Sequence, residues 1–269
     1  MGCRRRGRLY LMENFLGVPD VGFWLTVALV IAATVTTFLG TVTGTAGGLL
    51  LLASMTFFFP LSVLIPMHTM IQLGAGTSRM FMMWRYVKKN LIVPFAIGSV
   101  VGAFTGAQIF TTLPSEILQG ILGIFILVVL YTPKLGAGGP ERLRFGILGA
   151  AATFLGIFVS ATGTFLSPFI AHASRDRHVH VSTMATLMAI SHISKLVAFG
   201  FVGMAIGAYL PLIVLMILGT VAGNWVGQRA LTRMPEKLFR RIFQLLLTIL
   251  ALRLLIGAAL DAGWLDGFV

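Results

Sequence analysis

The chain has few charged residues. Lys, Arg, Asp and Glu make up only 10% of its 269 residues, whereas 57% are hydrophobic. A soluble domain carries about a quarter charged residues. Apolar runs of roughly the length that crosses a bilayer, about 20 residues, follow one another from Gly22 to Leu260. These runs lack the two-residue alternation of an outer-membrane barrel, so the sequence predicts an all-α polytopic membrane protein.

Negative charge is especially scarce. All eight acidic residues fall in predicted loops or tails, and none lies inside an apolar run: Glu13, Asp20, Glu116, Glu141, Asp176, Glu236, Asp261 and Asp266. The net charge is +12, and most Lys and Arg residues lie in the breaks between runs, where such residues set orientation in the membrane. This distribution accounts for the basic balance without a nucleic-acid partner, and we expect none.

Cysteines and catalytic motifs are also missing. Cys3 is the only cysteine, which excludes an intrachain disulfide framework and a Cys-rich metal site. The sequence contains no Ser/His/Asp set, no HExxH motif and no phosphate-binding GxxxxGK[ST] loop. We therefore expect no enzyme activity, no metal and no cofactor.

Short breaks divide the apolar sequence into eight segments, and they leave no room for an extramembrane domain. The segments are 23–59, 63–84, 91–110, 117–132, 145–173, 181–205, 207–228 and 239–260. A Gly- and Pro-rich break separates two halves. The predicted organisation is an N-terminal tail (1–22), a first membrane repeat (23–133), a linker (134–144), a second membrane repeat (145–260) and a C-terminal tail (261–269).

The two halves repeat each other. Ser78-Arg79 matches Ser194-Lys195 at an offset of 116 residues, as Phe38-Leu39-Gly40 matches Phe154-Leu155-Gly156. A ladder of glycines four residues apart recurs at an offset of 121: Gly98, Gly102 and Gly106 match Gly219, Gly223 and Gly227. Small residues at this spacing let helices approach closely, so both ladders are predicted to be packing faces.

Equivalent loops of the two halves differ in charge. The loop with Arg85, Lys88 and Lys89 is basic, whereas its partner at 203–207 is uncharged. By the positive-inside rule the two loops lie on opposite sides, which predicts inverted repeats. Inversion requires an odd number of crossings between equivalent points, so one of the four segments in each half must double back. The Gly- and Thr-rich breaks at 43–48 and 160–164 predict two short helices there.

The candidate site is a helix that is apolar yet carries a polar stripe. His68, Gln72 and Arg79 fall on one face at 3.6 residues per turn, with Ser78 beside them. In the second half His192, Ser194 and Lys195 stand in the corresponding helix. A cation at mid-bilayer costs at least about 2.5–3.5 kcal/mol. Without an internal carboxylate, its natural complement is an anion from outside. Alternatively, the two cations reach an interface or bind helix-terminal carbonyls.

The two breaks add hydrogen-bond donors. Helix N-termini expose unpaired N–H groups, and hydroxyl side chains lie beside them. Such a combination suits an oxyanion or a carboxylate, although plain kinks also look like this. The candidate donors are Thr43, Thr45, Gly47 and Gly48 in the first half and Thr162, Gly163 and Thr164 in the second. His68 and His192 either bond the backbone or Gln72 or carry a coupling proton.

This pattern resembles the TauE/SafE family of sulfite and organosulfonate exporters from Trp24 to Leu260. The resemblance rests on the Gly-rich break from Gly40 to Gly48, the His68-x3-Gln72 and Thr77-Ser78-Arg79 helix, the glycine ladder before Leu113-Pro114-Ser115-Glu116, and the repeat that ends in His192-Ile193-Ser194-Lys195. The sequence departs from the family's fuller Gly-Gly-Gly break, since it reads Thr45-Ala46-Gly47-Gly48. The resemblance implies a permease of the bacterial inner membrane that moves small sulfur-containing anions.

The leading hypothesis is therefore a secondary transporter of about eight transmembrane segments, in which two inverted repeats alternate access to sulfite or an organosulfonate. The alternatives are a carrier for another small anion such as a carboxylate, a channel-like protein, and an assembly protein without transport of sulfur compounds. The expected partners are a small anion and the lipid bilayer of the inner or plasma membrane. A coupling proton or ion and a homo-oligomer are both compatible with the sequence.

Overall fold

The computed structural model describes residues 14–43, 47–131, 140–159, 163–173, 176–203, 206–230, 248–249, 251–252 and 255–260. These residues contain helices and turns and no strand. The nine α-helices among them are α1 (Phe23–Thr43), α2 (Gly47–Met55), α3 (Leu61–Met82), α4 (Ile92–Phe110), α5 (Ser115–Tyr131), α6 (Glu141–Val159), α7 (Gly163–Ala173), α8 (Arg177–Phe201) and α9 (Leu210–Ala230). The described residues of 248–260 are helical as well.

Helix boundaries follow the predicted segments closely. Helices α3, α4, α5 and α9 lie within three residues of the segments drawn from hydropathy. Helix α8 begins four residues before the predicted 181, because the Asp176 carboxylate caps it by accepting hydrogen bonds from the N–H groups of His178 (2.7 Å) and Val179 (3.2 Å). The bonds from Val179 and His178 hold the pKa of Asp176 below its ordinary value. Most of the predicted segment 239–260 lies outside the described residues.

The first segment of each half is one long helix followed by one short helix, and not the two short helices that the sequence predicted. Helix α1 has 21 residues and α2 has 9; α6 has 19 and α7 has 11. The hydroxyl-rich end of α1 stays helical, and its Thr34 and Thr36 hydroxyls donate to carbonyls of their own helix (2.9 and 2.6 Å). Helix α2 then folds back against α1. Glycine at position 47 permits this close approach, because a Cβ there would lie 2.8 Å from Gly40 Cα.

The glycine ladders form the two tightest helix contacts. On α4, a Cβ at Gly102 would collide with Ala150 O and lie 2.9 Å from Phe154 N. On α9, a Cβ at Gly223 would collide with Thr34 O and lie 3.1 Å from Phe38 N. Ala150 and Phe154 follow Thr34 and Phe38 by the repeat offset of 116. Thus α4 packs parallel to α6 as α9 packs parallel to α1, and the predicted packing role of the ladders is confirmed.

The equivalent helices α3 and α8 pack on each other in opposite directions. Past the C-terminal end of α3, the N–H of Lys88 donates to Thr183 Oγ1 near the start of α8 (3.0 Å). Further back along α3, His68 interacts electrostatically with His192 and Lys195 near the end of α8. The polar stripe of α3 therefore faces the corresponding stripe of α8 in the middle of the molecule.

Positive charge collects at one end of the helix bundle. The Lys88 ammonium pairs with Glu141 at the start of α6, and Gln228 near the end of α9 donates to Met82 Sδ at the end of α3 (2.9 Å). The hydrogen bond from Lys88 lowers the pKa of Glu141, which lies in the predicted linker outside the apolar run. We call this the basic end; its cations are Arg85, Lys88, Lys89, Arg142, Arg144 and Arg229. Aromatic contacts close the opposite, apolar end: Phe59 with Tyr209, and Phe110 with Phe158 and Phe199.

The outer surface of the bundle is apolar. Trp24, Phe81 and Phe201 are 76%, 73% and 77% exposed, whereas soluble proteins rarely expose such surface contiguously. Among the described residues, four spans are long and apolar enough to cross a membrane: Phe23–Val42, Lys89–Phe110, His178–Phe201 and Gly207–Arg229. The chain is therefore a helical multi-pass membrane protein.

Candidate functional site

Arg79 lies in the last turn of α3, where it is held by side chains from two other helices. Its Nη2 donates to Thr41 Oγ1 of α1 (2.9 Å) and to Asn224 Oδ1 of α9 (2.8 Å). Asn224 is itself anchored, because its Nδ2 donates to Ala75 O and to Ser78 Oγ (both 2.8 Å). The predicted residues Arg79 and Ser78 thus belong to one hydrogen-bonded group, which we call the arginine centre.

His68 and Gln72 lie against the start of α2. The Nε2 atom of His68 is 2.9 Å from Gly48 O. Since a carbonyl can only accept, this nitrogen carries the proton, and its 3.2 Å contact with Gln72 Nε2 is not a hydrogen bond in that tautomer. A Cβ on Gly48 would collide with Gln72 Nε2. The structure therefore brings His68, Gln72 and Gly48 together, with His68 bonded to the backbone as one interpretation predicted.

Lys195 is fully buried and poorly satisfied. Its exposure is 0%, and its Nζ donates to Gly156 O at 3.3 Å. His192 lies one turn earlier on α8 with 1% exposure, and its Nδ1 has no hydrogen-bond partner among the described residues. Ser194 is buried beside them at 8% exposure. We call this group the lysine centre. Since Lys195 points inward, the structure does not support the alternative that it reaches an interface. Its bond to Gly156 O, in the last turn of α6, is the contact with a helix-terminal carbonyl that the same alternative predicted.

The two centres occupy different levels of the bundle. Ala75, which anchors the arginine centre, lies about 10 Å along α3 from His68, at roughly 1.5 Å per residue over seven residues. His68 is the group of α3 that interacts with Lys195 and His192. Arg79 is only partly buried and lies one turn from the basic end, whereas Lys195 lies deeper. The cations therefore face the interior from opposite ends of the α3–α8 contact.

The Gly and Thr breaks are only partly described. Gly47 opens α2 and is filled by contacts with α1, whereas a Cβ on Gly163, which opens α7, would meet no atom within 4 Å in the described structure. Thr45 and Thr162 lie outside the described residues, as do the side chains of Thr43 and Thr164. The predicted donor role of these threonines stays a prediction.

Two of the candidate residues carry a buried nitrogen that is not hydrogen-bonded in the described structure. Among the described residues, Arg79 Nε and His192 Nδ1 are buried and lack a hydrogen-bond partner. Unsatisfied buried polar atoms are rare, because each costs about 1–3 kcal/mol. The described acidic residues Asp20, Glu116, Glu141 and Asp176 lie before a helix or in its first turn. Arg79 Nε–H therefore lacks an acceptor in the described part of the chain, and His192 Nδ1 lacks a hydrogen-bond partner of either kind.

Nothing in the sequence indicates Thr41. Asn224 lies on a glycine-ladder helix, where its amide is assigned to an interhelical hydrogen bond in preference to a ligand role. That assignment is confirmed, because Asn224 bonds both α1 and α3. Thr41 contacts the second glycine ladder, because a Cβ on Gly227 would lie 2.9 Å from Thr41 Cβ, and the sequence does not indicate this contact. Neither Thr41 nor Asn224 could be found from the repeat, because their equivalents in the other half are Ile157 and Ala103.

A multi-pass bundle with buried cations, packed through repeated glycine ladders, has features that membrane transporters share. The family model for the sulfite exporter TauE/SafE matches residues 29–254, so the chain belongs to that family. The predicted resemblance is thereby confirmed over most of the chain. No curated protein and no solved structure matches the chain.

Proposed function

We propose that this protein is a secondary transporter that exports sulfite, or a small organosulfonate, across the inner membrane by alternating access. The observation that carries the proposal is a set of buried nitrogens in the described part of the chain: Arg79 Nε and His192 Nδ1 have no hydrogen-bond partner, and the Lys195 ammonium donates to Gly156 O. Sulfite carries two negative charges when fully ionised and offers three oxygens as acceptors. A sulfonate presents the same three oxygens with one charge.

The arrangement of the halves supports alternating access. Arg79 and Lys195 are equivalent in the repeat, yet α3 and α8 run in opposite directions, so each cation lies nearer to a different end of their contact. Inverted repeats related in this way are common in secondary transporters. We propose that an anion enters from the basic end, meets Arg79 first and reaches Lys195 and His192 after the halves move. By the positive-inside rule the basic end is cytoplasmic.

The proposal is tested with purified protein in liposomes. Proteoliposomes loaded with sulfite should lose it faster than protein-free liposomes loaded in the same way. Lys195→Ala should reduce this rate at least tenfold while the protein still elutes as a folded species. The panel should include methanesulfonate, thiosulfate, phosphate and acetate at equal ionic strength. Faster flux of acetate than of sulfite would favour a carboxylate carrier, and unchanged sulfite flux in Lys195→Ala would contradict the site.

A further inference from the structure

We propose that Asn224 is a positioning residue for anion binding. It holds the Nη2 side of the Arg79 guanidinium so that the Nε–H edge stays free for an oxygen of the transported anion. This inference rests on the proposed function and deepens it, because it gives a residue of the second half a role at the cation of the first half. Asn224 itself does not touch the anion.

The amide of Asn224 has one possible orientation. Its Oδ1 accepts from Arg79 Nη2 and lies 2.6 Å from Thr41 Oγ1, while its Nδ2 donates to Ala75 O and Ser78 Oγ. A reversed amide would place an NH2 group against the guanidinium donors and an oxygen against the Ala75 carbonyl. Asn224 is fully buried. The oxygen that faces Arg79 is therefore fixed by bonds on both sides of the amide.

While this oxygen holds Nη2, the Nε–H group of Arg79 has no acceptor in the described structure. Thr41 and Asn224 both bind Nη2, whereas Nε is buried and has no acceptor in the described part of the chain. Arginine presents its five donors in a rigid fork, so holding one nitrogen sets the direction of the others. A small oxyanion is the kind of acceptor that suits such an oriented edge.

Only one half contains this support. The repeat equivalents of Thr41 and Asn224 are Ile157 and Ala103, whose side chains have no polar group that could hold Lys195. Lys195 instead donates to Gly156 O at 3.3 Å. Asn224 belongs to α9 of the second half, whereas Thr41 and Arg79 belong to the first. Displacement of α9 relative to α3 would therefore release the guanidinium, which couples anion binding at Arg79 to the relative position of the halves.

The experiment measures sulfite flux against sulfite concentration in proteoliposomes. Asn224→Ala should raise the half-saturating concentration about tenfold, as expected for one lost hydrogen bond to a charged group, with a smaller change in maximum rate. Thr41→Val keeps the side-chain shape and should raise it about threefold. The matched control is Gln228→Ala. This change removes another amide from α9, one that donates to Met82 of α3 and is not bonded to Arg79, so it should leave the half-saturating concentration unchanged.

A second arm separates positioning from a structural role. In an Arg79→Lys background the fork is gone, so Asn224→Ala should add less than a twofold change. If Arg79→Lys has no flux, the sulfite-dependent shift in thermal midpoint replaces the rate. The inference is overturned if Asn224→Ala keeps its full effect in the Arg79→Lys background. It is also overturned if Asn224→Ala and Gln228→Ala have equal effects in the wild-type background. If Asn224→Ala does not fold, Thr41→Val decides alone. Absence of sulfite flux in the wild type overturns the proposed function and this inference with it.

Discussion

At the scale of single residues, Lys195 is held in a setting that disfavours a charge. It is fully buried in a membrane helix, and in the described part of the chain its Nζ donates to one carbonyl at 3.3 Å, although an ammonium group has three donors. A residue kept at such a cost is expected to serve binding and not folding. Stability and transport should therefore respond in opposite ways when this residue is replaced.

We predict that Lys195→Met leaves the thermal midpoint of the detergent-solubilised protein unchanged or raises it. Methionine keeps the length of the side chain and removes a charge whose insertion costs about 2.5–3.5 kcal/mol at the bilayer centre. Thermal unfolding followed by intrinsic tryptophan fluorescence measures this. The control is Lys88→Met, which removes the ion pair with Glu141 and the bond to Ala173 O and should lower the midpoint. A fall for Lys195→Met as large as for Lys88→Met would show that the buried ammonium is structural.

The sequence predicted which residues of the site would be cationic but not how each is held. Arg79 and Lys195 stand out because they repeat inside apolar helices and lack nearby carboxylates. The bonds from Asn224 to Ala75 and Ser78 join positions far apart in the chain, and such pairs depend on how helices pack. Asymmetric partners of this kind are invisible to a search for repeats, since a repeat shows only what both halves share.

At the scale of helices, glycine decides which pairs come close. The ladder on α4 lets backbone atoms of α6 approach it, and the ladder on α9 does the same with α1. The sequence predicted both faces but not their partners, because a small-residue face accepts any helix of complementary shape. The sequence also placed the breaks near 43–48 and 160–164, yet it did not predict the unequal lengths of the helices that flank them.

We predict that Gly102→Ala destabilises the protein by about 1–3 kcal/mol or more, because overpacking forces neighbouring groups to shift. The new methyl group would collide with the backbone carbonyl of Ala150, which cannot move as a side chain can. Gly146→Ala is the matched control in the same contact, since its Cβ would lie 3.6 Å from Pro94 O. Denaturant or thermal unfolding of the two variants compares them. Equal midpoints would contradict the close approach of α4 and α6.

At the scale of the whole molecule, the positive charges collect at the end where particular helix termini meet. The ends of α3 and α9 and the starts of α6 and α8 meet at the basic end, through Lys88, Glu141, Thr183 and Gln228. Helices α3 and α8 run in opposite directions, and inverted repeats would place the loops that follow them on opposite sides of the membrane. The depth of each cation could not be predicted from the sequence, because it depends on where α3 and α8 cross.

We predict that the basic end faces the cytoplasm and the apolar end faces outward. In a background where Cys3 is replaced by Ser, Lys89→Cys and Ala208→Cys place single thiols at exposed positions just before α4 and α9. A membrane-impermeant maleimide added to intact cells should label Ala208→Cys and should reach Lys89→Cys only after permeabilisation. These two positions follow the equivalent helices α3 and α8, so labelling of both from the same side would contradict inverted repeats. In that case Arg79 and Lys195 could not face opposite sides of the membrane, and alternating access between them would have no structural basis.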